Sequence, residues 1–479
     1  MYPLKVNALS VKLNGKTILN EISFTIQPGE YWAITGLSGS GKTTLIKALA
    51  GKLLHTGTIT TGDNKPSKVV LAEQQHHFKN LSNTSNFYYQ QRFNSCDAED
   101  AITVEEDLQR VLSKNQTSKD TVDELVDLFD LKKLYTERLI QLSNGENKRL
   151  QIIKALLLQP SILLLDNPFT GLDVQSRKTL EDILFEVAKK DIHIIITASA
   201  SHLPRFITNV LSLAPDASYT VDKPSSFHTK ITDEQLTINS QLLKELTVNE
   251  RHATFDIAVS MKNVQIKYDG KKILDNINWE VRNRERWSLS GPNGSGKSTL
   301  LSLINADNPQ AYANEIYLFD RKRGTGETIW DIKKKTGFVS PELHLYFDKG
   351  ISCFHVVASG LFDTIGLFRK MNEQQSSHVI KWMQALQTEH LKNKFLFQLS
   401  NSQQRLVLLT RALVKNPPLL ILDEPCQGLD DDQVHQFKKL VNEICLTGNK
   451  TLIYVSHYKE EIPECVTKFI RLENGKMVE

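Results

Sequence analysis

Four short motifs occur twice in this chain of 479 residues, in the same order and at almost the same spacing. The paired segments are residues 36–44 with 291–299, 142–144 with 399–401, 165–168 with 422–425, and 171–173 with 428–430. The first pair is separated by 255 residues and the other three by 257. Chance does not produce four ordered repeats at one spacing, so the sequence predicts two copies of one domain. Each copy is long enough to bury its own core.

The sequence between the copies is polar over residues 223–255 and contains Pro224 followed by two serines. A short patch of leucines over residues 236–246 has helical spacing, but the segment is too short for a third domain. We therefore expect a first domain over residues 1–222, a linker over 223–255 with little core of its own, and a second domain over 256–479.

The first motif has the form G-x-x-x-x-G-K-[ST] and lies between a strand pattern and a helix pattern in both copies, which is the context of a phosphate-binding P-loop. The glycines let backbone N–H groups and the helix N-terminus face a phosphate. Lys42 and Lys297 would reach the β and γ phosphates, and Thr43 and Ser298 would offer a hydroxyl to Mg²⁺. The expected ATP-binding residues are Gly36, Leu37, Ser38, Gly39, Ser40, Gly41, Lys42, Thr43 and Thr44 in the first copy, and Gly291, Pro292, Asn293, Gly294, Ser295, Gly296, Lys297, Ser298 and Thr299 in the second.

The composition of the chain favours a globular protein and argues against several other classes. Hydrophobic residues make up 40% and charged residues 24% of the chain, which is typical of globular proteins. The net charge of +3 argues against a dedicated nucleic-acid-binding protein, which normally has a strongly basic domain. No apolar run approaches the roughly 18 residues of a membrane-spanning helix, and the N-terminus lacks the apolar stretch of a signal peptide. The five cysteines include no CxxC pair, so we expect a cytoplasmic protein without a disulfide framework or zinc site.

Each copy also contains a predicted helix that starts with a capping box. Ser143 is followed three residues later by Glu146, and Ser400 by Gln403, each ahead of an apolar helical pattern. A proline, a run of four apolar residues and an aspartate follow in both copies. This arrangement resembles the ATP-binding cassette (ABC) ATPases. Over residues 321–334 and 362–366 the second copy also resembles the soluble tandem-cassette type associated with molybdenum transport and photorepair.

The resemblance implies an α/β fold with two tandem P-loop NTPase (ABC cassette) domains. Each would have a RecA-like core, an antiparallel β subdomain and a helical subdomain. In this family two cassettes meet head to tail, so that each ATP lies between one P-loop and the capped signature helix of the other cassette. Ser143, Gly145 and Ser400 would then contact ATP, and the cassettes would pair within one monomeric chain. The implied Mg²⁺ ligands are Thr43, Gln74, Asp166, Ser298 and Asp423.

The resemblance further implies that the second P-loop has the groups that hydrolysis requires. Glu424 follows Asp423 and is placed to polarise the attacking water. His457 matches the histidine that contacts the γ-phosphate, and Tyr268 matches the aromatic residue that stacks on adenine. One departure is the Val-Ser-Pro-Glu sequence at residues 339–342, where most cassettes have glutamine.

The site at the first P-loop departs from the family at several positions. Asn167 replaces the glutamate and cannot accept a proton from water, and Leu13 replaces the stacking aromatic residue. An alignment of Pro204 with Pro463 puts Ala198 at the position of the histidine.

The signature segment of the second copy, which the family arrangement would put opposite this first site, also departs from the family pattern. Ser402 adds a side chain where glycine is usual. Lys42, Thr43 and Asp166 are nevertheless retained. We therefore expect this site to bind ATP and to hydrolyse it poorly.

Three functions are compatible with these residues. The chain would be the ATP-binding subunit of a transporter whose permease is another chain, with molybdate or a related metal oxyanion as a candidate cargo and a location at the inner face of the plasma membrane. It would otherwise be a soluble ATPase that remodels a macromolecule, or a nucleotide-dependent regulatory module. The short, non-basic linker counts against the remodelling class. Basic clusters at residues 321–323 and 333–335 would suit nucleic acid or anionic lipid, but such clusters are more often solvated surface.

We predict that two nucleotides bind per chain in the presence of Mg²⁺, because both P-loop lysines and both aspartates are retained. Isothermal titration calorimetry with a non-hydrolysable ATP analogue would measure the stoichiometry, and Lys42→Ala should reduce it to one. A single binding event in the unaltered chain would contradict the prediction.

Overall fold

The computed structural model describes residues 2–13, 15–62, 68–73, 102–115, 119–139, 142–226, 238–248, 255–268, 270–348 and 350–478. The chain divides into two compact units, residues 1–232 and 233–479. Each unit combines an antiparallel sheet with a six-stranded, mainly parallel sheet and several helices. The predicted α/β class with duplicated architecture is therefore confirmed.

The first unit contains nine strands among its described residues. They are β1 (Leu4–Leu13), β2 (Lys16–Ile26), β3 (Trp32–Gly36), β4 (Thr56–Thr61), β5 (Val69–Ala72), β6 (Ile162–Leu165), β7 (His193–Thr197), β8 (Asn209–Leu213) and β9 (Tyr219–Asp222). The antiparallel sheet has the order β2-β1-β4, and the larger sheet has the order β5-β6-β7-β3-β8-β9. In the larger sheet all neighbours are parallel except β8 and β9.

The second unit repeats this plan with ten strands in its described part. They are β10 (Ile257–Tyr268), β11 (Lys271–Arg282), β12 (Arg286–Ser290), β13 (Glu315–Leu318), β14 (Arg321–Lys322), β15 (Thr336–Val339), β16 (Leu419–Asp423), β17 (Thr451–Val455), β18 (Lys468–Glu473) and β19 (Lys476–Val478). The sheet orders are β11-β10-β13-β14 and β15-β16-β17-β12-β18-β19. The edge pair of β18 and β19 is again antiparallel within an otherwise parallel sheet.

Both units also contain helices, some packed on the sheets and others on neighbouring helices. In the first unit they are α1 (Lys42–Leu49), α2 (Val104–Asn115), α3 (Lys119–Leu128), α4 (Asn144–Leu156) and α5 (Val174–Ala188). In the second they are α6 (Ser240–Val248), α7 (Lys297–Ile304), α8 (Ile329–Lys335), α9 (Pro341–Tyr346), α10 (Cys353–Ser359), α11 (Glu373–Ala385), α12 (Asn401–Leu413) and α13 (Asp431–Thr447). None of the helices in the described ranges is long and apolar enough to cross a membrane.

Two neighbouring strands in each six-stranded sheet are buried along their whole length. Every residue of β6, β7, β16 and β17 is buried, as expected for parallel strands with helices on both faces. The carboxyl ends of parallel strands lie at one edge of the sheet, where ligands bind in such folds. Because each P-loop follows one of these strands and each aspartate ends or follows another, the sheet gathers the predicted site residues at that edge.

The region expected to be a linker contains helix α6, which packs into the core of the second unit and forms part of it. Leu243 is completely buried in a cluster that includes Trp382 and Ile444. The backbone N–H of Asn239 donates to the Ala385 carbonyl oxygen at 3.2 Å. The helical spacing of the leucines was visible in the sequence, but the surface that they cover was not.

We predict that Leu243→Ala destabilises the second unit by roughly 2–5 kcal/mol, because the change leaves a cavity in a packed core. Lys244→Ala is the matched control, since Lys244 is the next residue of the same helix and is exposed. Differential scanning calorimetry of the full chain would compare the two variants. Equal unfolding profiles for both would show that the helix is a tether without a structural role.

Candidate nucleotide-binding sites

The two P-loops have the same backbone conformation, and that conformation requires glycine. Gly41 and Gly296 precede α1 and α7 with φ angles of 101° and 103°, in the left-handed region. A Cβ atom on Gly36 would lie 2.2 Å from the carbonyl oxygen of Leu213. The chain therefore turns sharply from strand to helix and leaves the N–H groups of the first helical turn at the loop.

The P-loop lysines fold back over their own loops. Lys42 Nζ donates to the carbonyl oxygens of Gly36 and Leu37 at 2.7 and 2.9 Å. Lys297 Nζ makes the two equivalent contacts, both at 2.9 Å. Each ammonium group is thus held beside the N-terminus of the following helix.

The loops fit the phosphates of a nucleotide. The hydroxyl oxygens of Ser40 and Ser295 are buried and have no hydrogen-bond partner. Together with a cation and a helix N-terminus, these hydroxyl groups form a site that favours an anion. The other predicted loop residues lie in the same two loops and the helical turns that follow, namely Leu37, Ser38, Gly39, Thr44, Pro292, Asn293, Gly294 and Thr299.

The aspartates lie at the carboxyl ends of β6 and β16. Asp166 and Asp423 are 5% and 7% exposed. Thr43 Oγ1 lies 3.3 and 3.4 Å from the two carboxylate oxygens of Asp166, so the structure brings these two predicted Mg²⁺ ligands together. Ser298 occupies the equivalent position in the first turn of α7.

These oxygen donors fit Mg²⁺, which prefers one or two carboxylate or hydroxyl groups and completes its shell with phosphates and water. The described part of the chain contains no group of three or more His, Cys, Asp or Glu side chains that could hold a metal ion. The predicted ligand Gln74 lies outside the described residues.

In the second unit the predicted catalytic residues Glu424 and His457 are in contact. Nε2 of His457 lies 2.8 Å from Oε1 of Glu424, and both side chains are largely buried. The side-chain amide of Gln427 donates through Nε2 to the other carboxylate oxygen of Glu424, Oε2, at 3.3 Å. Glu424 has a φ of 43°, an uncommon conformation for a residue with a side chain and one that occurs often at functional sites.

A buried polar network supports the loop that carries His457. Ser456 Oγ donates to the carboxylate of Glu461 at 2.5 Å, and the Tyr454 hydroxyl donates to the Glu461 carbonyl oxygen at 2.9 Å. Burial raises the pKa of the Glu461 carboxyl group. The network fixes the backbone on both sides of the histidine.

At the position equivalent to Glu424 the first unit has a similar backbone φ angle but an asparagine, Asn167, in place of the glutamate. Asn167 has a φ of 45°, close to that of Glu424. Its N–H donates to the Thr197 hydroxyl at 2.7 Å, and that hydroxyl donates to Asp166 Oδ1 at 2.7 Å. The equivalent N–H of Glu424 donates to the backbone carbonyl of Val455 at 3.0 Å.

Strand pairing corrects one equivalence that the sequence suggested. In each unit the tryptophan ten residues before the P-loop lysine pairs with an isoleucine, Ile195 in the first and Ile453 in the second. His457 lies four residues after Ile453, and the residue four positions after Ile195 is Ser199. The position of the histidine is therefore taken by Ser199 and not by Ala198. The connection after the strand is one residue shorter in the first unit, which is why an alignment on the later prolines was wrong.

Both signature helices begin with the predicted capping box. Glu146 N donates to Ser143 Oγ at 3.3 Å, and Ser143 N donates to the Glu146 carboxylate at 2.7 Å. Ser400 and Gln403 form the same reciprocal pair at the start of α12. The capping box fixes the start of each helix and satisfies two of its backbone N–H groups.

The residue two positions after the capping serine differs between the units: it is Gly145 in the first and Ser402 in the second. A Cβ atom on Gly145 would lie 3.4 Å from the side chain of Ser176, so the position is close to α5. In the second unit Ser402 fills this space, with its hydroxyl 3.0 Å from that of Ser400 and accepting a hydrogen bond from Gln433 at 3.2 Å. The extra side chain is thus accommodated by polar contacts within its own unit.

The predicted adenine-stacking residue lies at the end of a strand. Tyr268 ends β10, its hydroxyl accepts a hydrogen bond from Asn308 at 2.9 Å, and burial raises the pKa of that hydroxyl. Leu13 ends β1 and is 39% exposed. The two residues therefore occupy equivalent ends of equivalent strands.

Several residues near the sites were not identified from the sequence. Gln427 contacts Glu424, Thr197 contacts Asp166, and Arg405 and Lys148 are buried at equivalent positions of the two signature helices. Burial lowers the pKa of Lys148 to about 8. The constant repeat spacing pairs Lys148 with Arg405, so a comparison of the copies would have flagged this position.

Comparisons with known proteins agree with this architecture. The family model described as ABC transporter matches residues 19–170 and again residues 274–427. The ABC transporter ATP-binding protein ModF of Escherichia coli is 33% identical, over 98% of this chain and 96% of its own length. An uncharacterized ABC transporter ATP-binding protein of Schizosaccharomyces pombe is 32% identical over 96% of both chains.

Two solved structures share the fold over nearly the whole chain. RNase-L Inhibitor covers 98% of this chain and 90% of its own, with a TM-score of 0.56 and 15% identity. The archaeal ribosome recycling factor aABCE1, solved with the ribosomal stalk protein aP1, covers 98% and 89%, with a TM-score of 0.57 and 15% identity. With two matched cassettes and a full-length relative of ModF type, the chain belongs to the ABC transporter family and is a tandem-cassette ATPase that uses ATP and Mg²⁺.

Proposed function

We propose that the chain hydrolyses ATP mainly at the P-loop of its second cassette, with Glu424 as the group that polarises the attacking water. The observation that carries the proposal is the contact between Glu424 and His457 at the carboxyl edge of the second parallel sheet. A carboxylate beside the P-loop can accept a proton from water as the water attacks. His457 would orient this carboxylate and contact the γ-phosphate.

The first cassette binds ATP and contributes little to turnover under this proposal. Lys42, which folds over its own P-loop, would bind phosphate, and Thr43 and Asp166, which contact each other, would hold Mg²⁺. Asn167, however, has an amide where Glu424 has a carboxylate, and an amide oxygen is too weak a base to take a proton from water.

Mg²⁺ would be held by Thr43 and Asp166 in the first cassette and by Ser298 and Asp423 in the second, with Gln74 as a further proposed ligand. When bound, the ion neutralises negative charge on the phosphates. The remaining roles are also proposals. Tyr268 would stack on adenine, and Ser143, Gly145 and Ser400 would contact phosphate at the capped helix ends.

We predict that Glu424→Gln lowers steady-state ATP turnover by ~10²–10⁴-fold, the usual cost of removing a positioned general base. The variant keeps the shape and hydrogen-bonding reach of the side chain, so ATP should bind with unchanged affinity. Phosphate release at saturating Mg-ATP, together with calorimetry of ATP binding, would measure both quantities.

The matched control is Asn167→Glu, which restores a carboxylate at a position with nearly the same backbone φ. It should raise turnover little, because Ser199 stands at the position of His457 and the Thr197 hydroxyl engages Asp166. Retention of more than about half of the wild-type turnover by Glu424→Gln would exclude Glu424 as the catalytic base.

For the cellular role, we infer that the chain is the ATP-binding subunit of a transport system whose membrane component is a separate chain, acting at the inner face of the plasma membrane. Support comes from the full-length similarity to relatives that are named ABC transporter ATP-binding proteins. Molybdate or a related metal oxyanion is the candidate cargo, on the basis of the resemblance to the ModF type.

A second candidate is a soluble ATPase that remodels a macromolecular complex. The observation that favours it is the similarity in fold, over 98% of the chain, to RNase-L Inhibitor and to an archaeal ribosome recycling factor. At 15% identity this similarity concerns the fold, so the candidate ranks second.

We predict that an affinity-tagged chain purified from membranes of its native host in Mg-ATP retains an integral membrane protein, since a transport motor must bind its permease. Mass spectrometry of the eluate would identify it. A double variant, Lys42→Ala with Lys297→Ala, tests whether retention depends on nucleotide. Retention of ribosomal components in place of a membrane protein would instead favour the remodelling candidate.

A further inference from the structure

The carboxylate of Glu424 is held from two sides, and only one of the two partners belongs to the proposed catalytic pair. His457 contacts Oε1 at 2.8 Å, and the side-chain amide of Gln427 donates to Oε2 at 3.3 Å. Donors on both oxygens restrict the rotation of a carboxylate about its terminal bond. The plane of the Glu424 carboxylate is therefore set by Gln427 as well as by His457.

Gln427 is in turn held from the signature helix of the same cassette. Arg405 lies on α12 and is 3% exposed. Its Nη2 donates to the Gln427 carbonyl oxygen at 3.1 Å and lies 3.5 Å from the side-chain oxygen of Gln427. A buried guanidinium has a rigid donor geometry, so it fixes both the backbone and the side chain of the residue that it binds.

The backbone turn alone does not explain this arrangement. The N–H of Gln427 donates to the Glu424 carbonyl oxygen at 3.1 Å, and the equivalent turn in the first cassette has Thr170 N donating to Asn167 O at 3.2 Å. The turn is thus common to both cassettes, whereas the glutamine amide is specific to the second.

The partner on the signature helix also differs between the cassettes. Lys148, the counterpart of Arg405, has its Nζ 3.4 Å from the carbonyl oxygen of Glu73. A threonine and a lysine cannot reproduce the amide-to-carboxylate and guanidinium-to-carbonyl contacts of the second cassette. The contact of Gln427 with Glu424 and the contact of Arg405 with Gln427 therefore occur in the second cassette, which has the glutamate.

We propose that Gln427 is a positioning residue that orients the Glu424 carboxylate for hydrolysis, and that Arg405 fixes Gln427 so that the signature helix of the second cassette sets this orientation. The inference rests on the proposed role of Glu424. Gln427 needs no contact with ATP for this role, so its loss should lower kcat and leave ATP affinity unchanged.

The test is Gln427→Leu in the full chain, which keeps the side-chain bulk and removes the amide. We expect kcat to fall roughly 10- to 100-fold, the order of loss that follows a small misplacement of a catalytic group. KM and the calorimetric affinity for a non-hydrolysable ATP analogue should remain within about two-fold of wild type, because no nucleotide contact is removed. Thr170→Leu, the equivalent change in the first cassette, is the control and should leave kcat unchanged.

A double-mutant cycle with Glu424→Gln separates positioning from a general structural effect. If Gln427 acts through the carboxylate, Gln427→Leu should have no further effect on the residual single-turnover rate of the Glu424→Gln protein. Arg405→Lys should lower kcat in the same direction, and by less, because lysine retains the charge without the forked donor geometry.

Three outcomes would overturn the inference. A kcat for Gln427→Leu within two-fold of wild type would remove it while leaving the proposed function intact. An equal loss in the Glu424→Gln background would show that Gln427 acts independently of the carboxylate. Near-normal turnover of Glu424→Gln alone would remove both the proposed function and this inference.

Discussion

Both candidate nucleotide-binding sites depend on one constraint. The strand that precedes each P-loop is hydrogen-bonded to a parallel strand on each side. In the first cassette β3 lies between β7 and β8, and in the second β12 lies between β17 and β18. The strand carrying the aspartate is the next neighbour along the sheet in each case. Because these strands are parallel, their carboxyl ends meet at one edge. In the first cassette this brings Thr43 and Asp166, which are 123 positions apart along the chain, within hydrogen-bonding distance.

Duplication keeps this framework constant while the chemistry at its edge changes. Asn167 and Glu424 have φ angles of 45° and 43°, so the backbone presents either side chain in the same way. Strained backbone of this kind is retained where the surrounding structure determines it. The difference in proposed activity therefore follows from side chains and their partners, and the shared fold supplies the ability to bind nucleotide.

The sequence was sufficient for the P-loops, the aspartates and the capping boxes, because each is a local pattern whose geometry is set within a few residues. It was insufficient where a position depends on pairing between distant strands. Ser199 was missed because a connection differs by one residue, and only the register of β7 against β3 reveals it. Similarly, the leucines of α6 have the spacing of a helix, but their burial depends on a surface formed by residues more than a hundred positions later. The contact of Gln427 with Glu424 joins residues three apart, yet its significance appears only with the approach of Arg405 from another helix.

The asymmetry between the cassettes extends beyond the exchange of one acid for an amide. In the first cassette the Thr197 side chain links Asn167 N to Asp166, so one oxygen of the aspartate is engaged by the protein itself. In the second, Val455 offers no side-chain hydroxyl, and the N–H of Glu424 bonds to the Val455 backbone carbonyl instead. A hydrogen bond to a buried carboxylate contributes on the order of 1.5–3 kcal/mol, and the first cassette therefore stabilises its aspartate internally. The two sites therefore differ in the partners of these groups. In the first the Thr197 side chain links the Asn167 N–H to Asp166, and in the second His457 and Gln427 contact the two oxygens of the Glu424 carboxylate, which is the arrangement that the proposed hydrolysis would use.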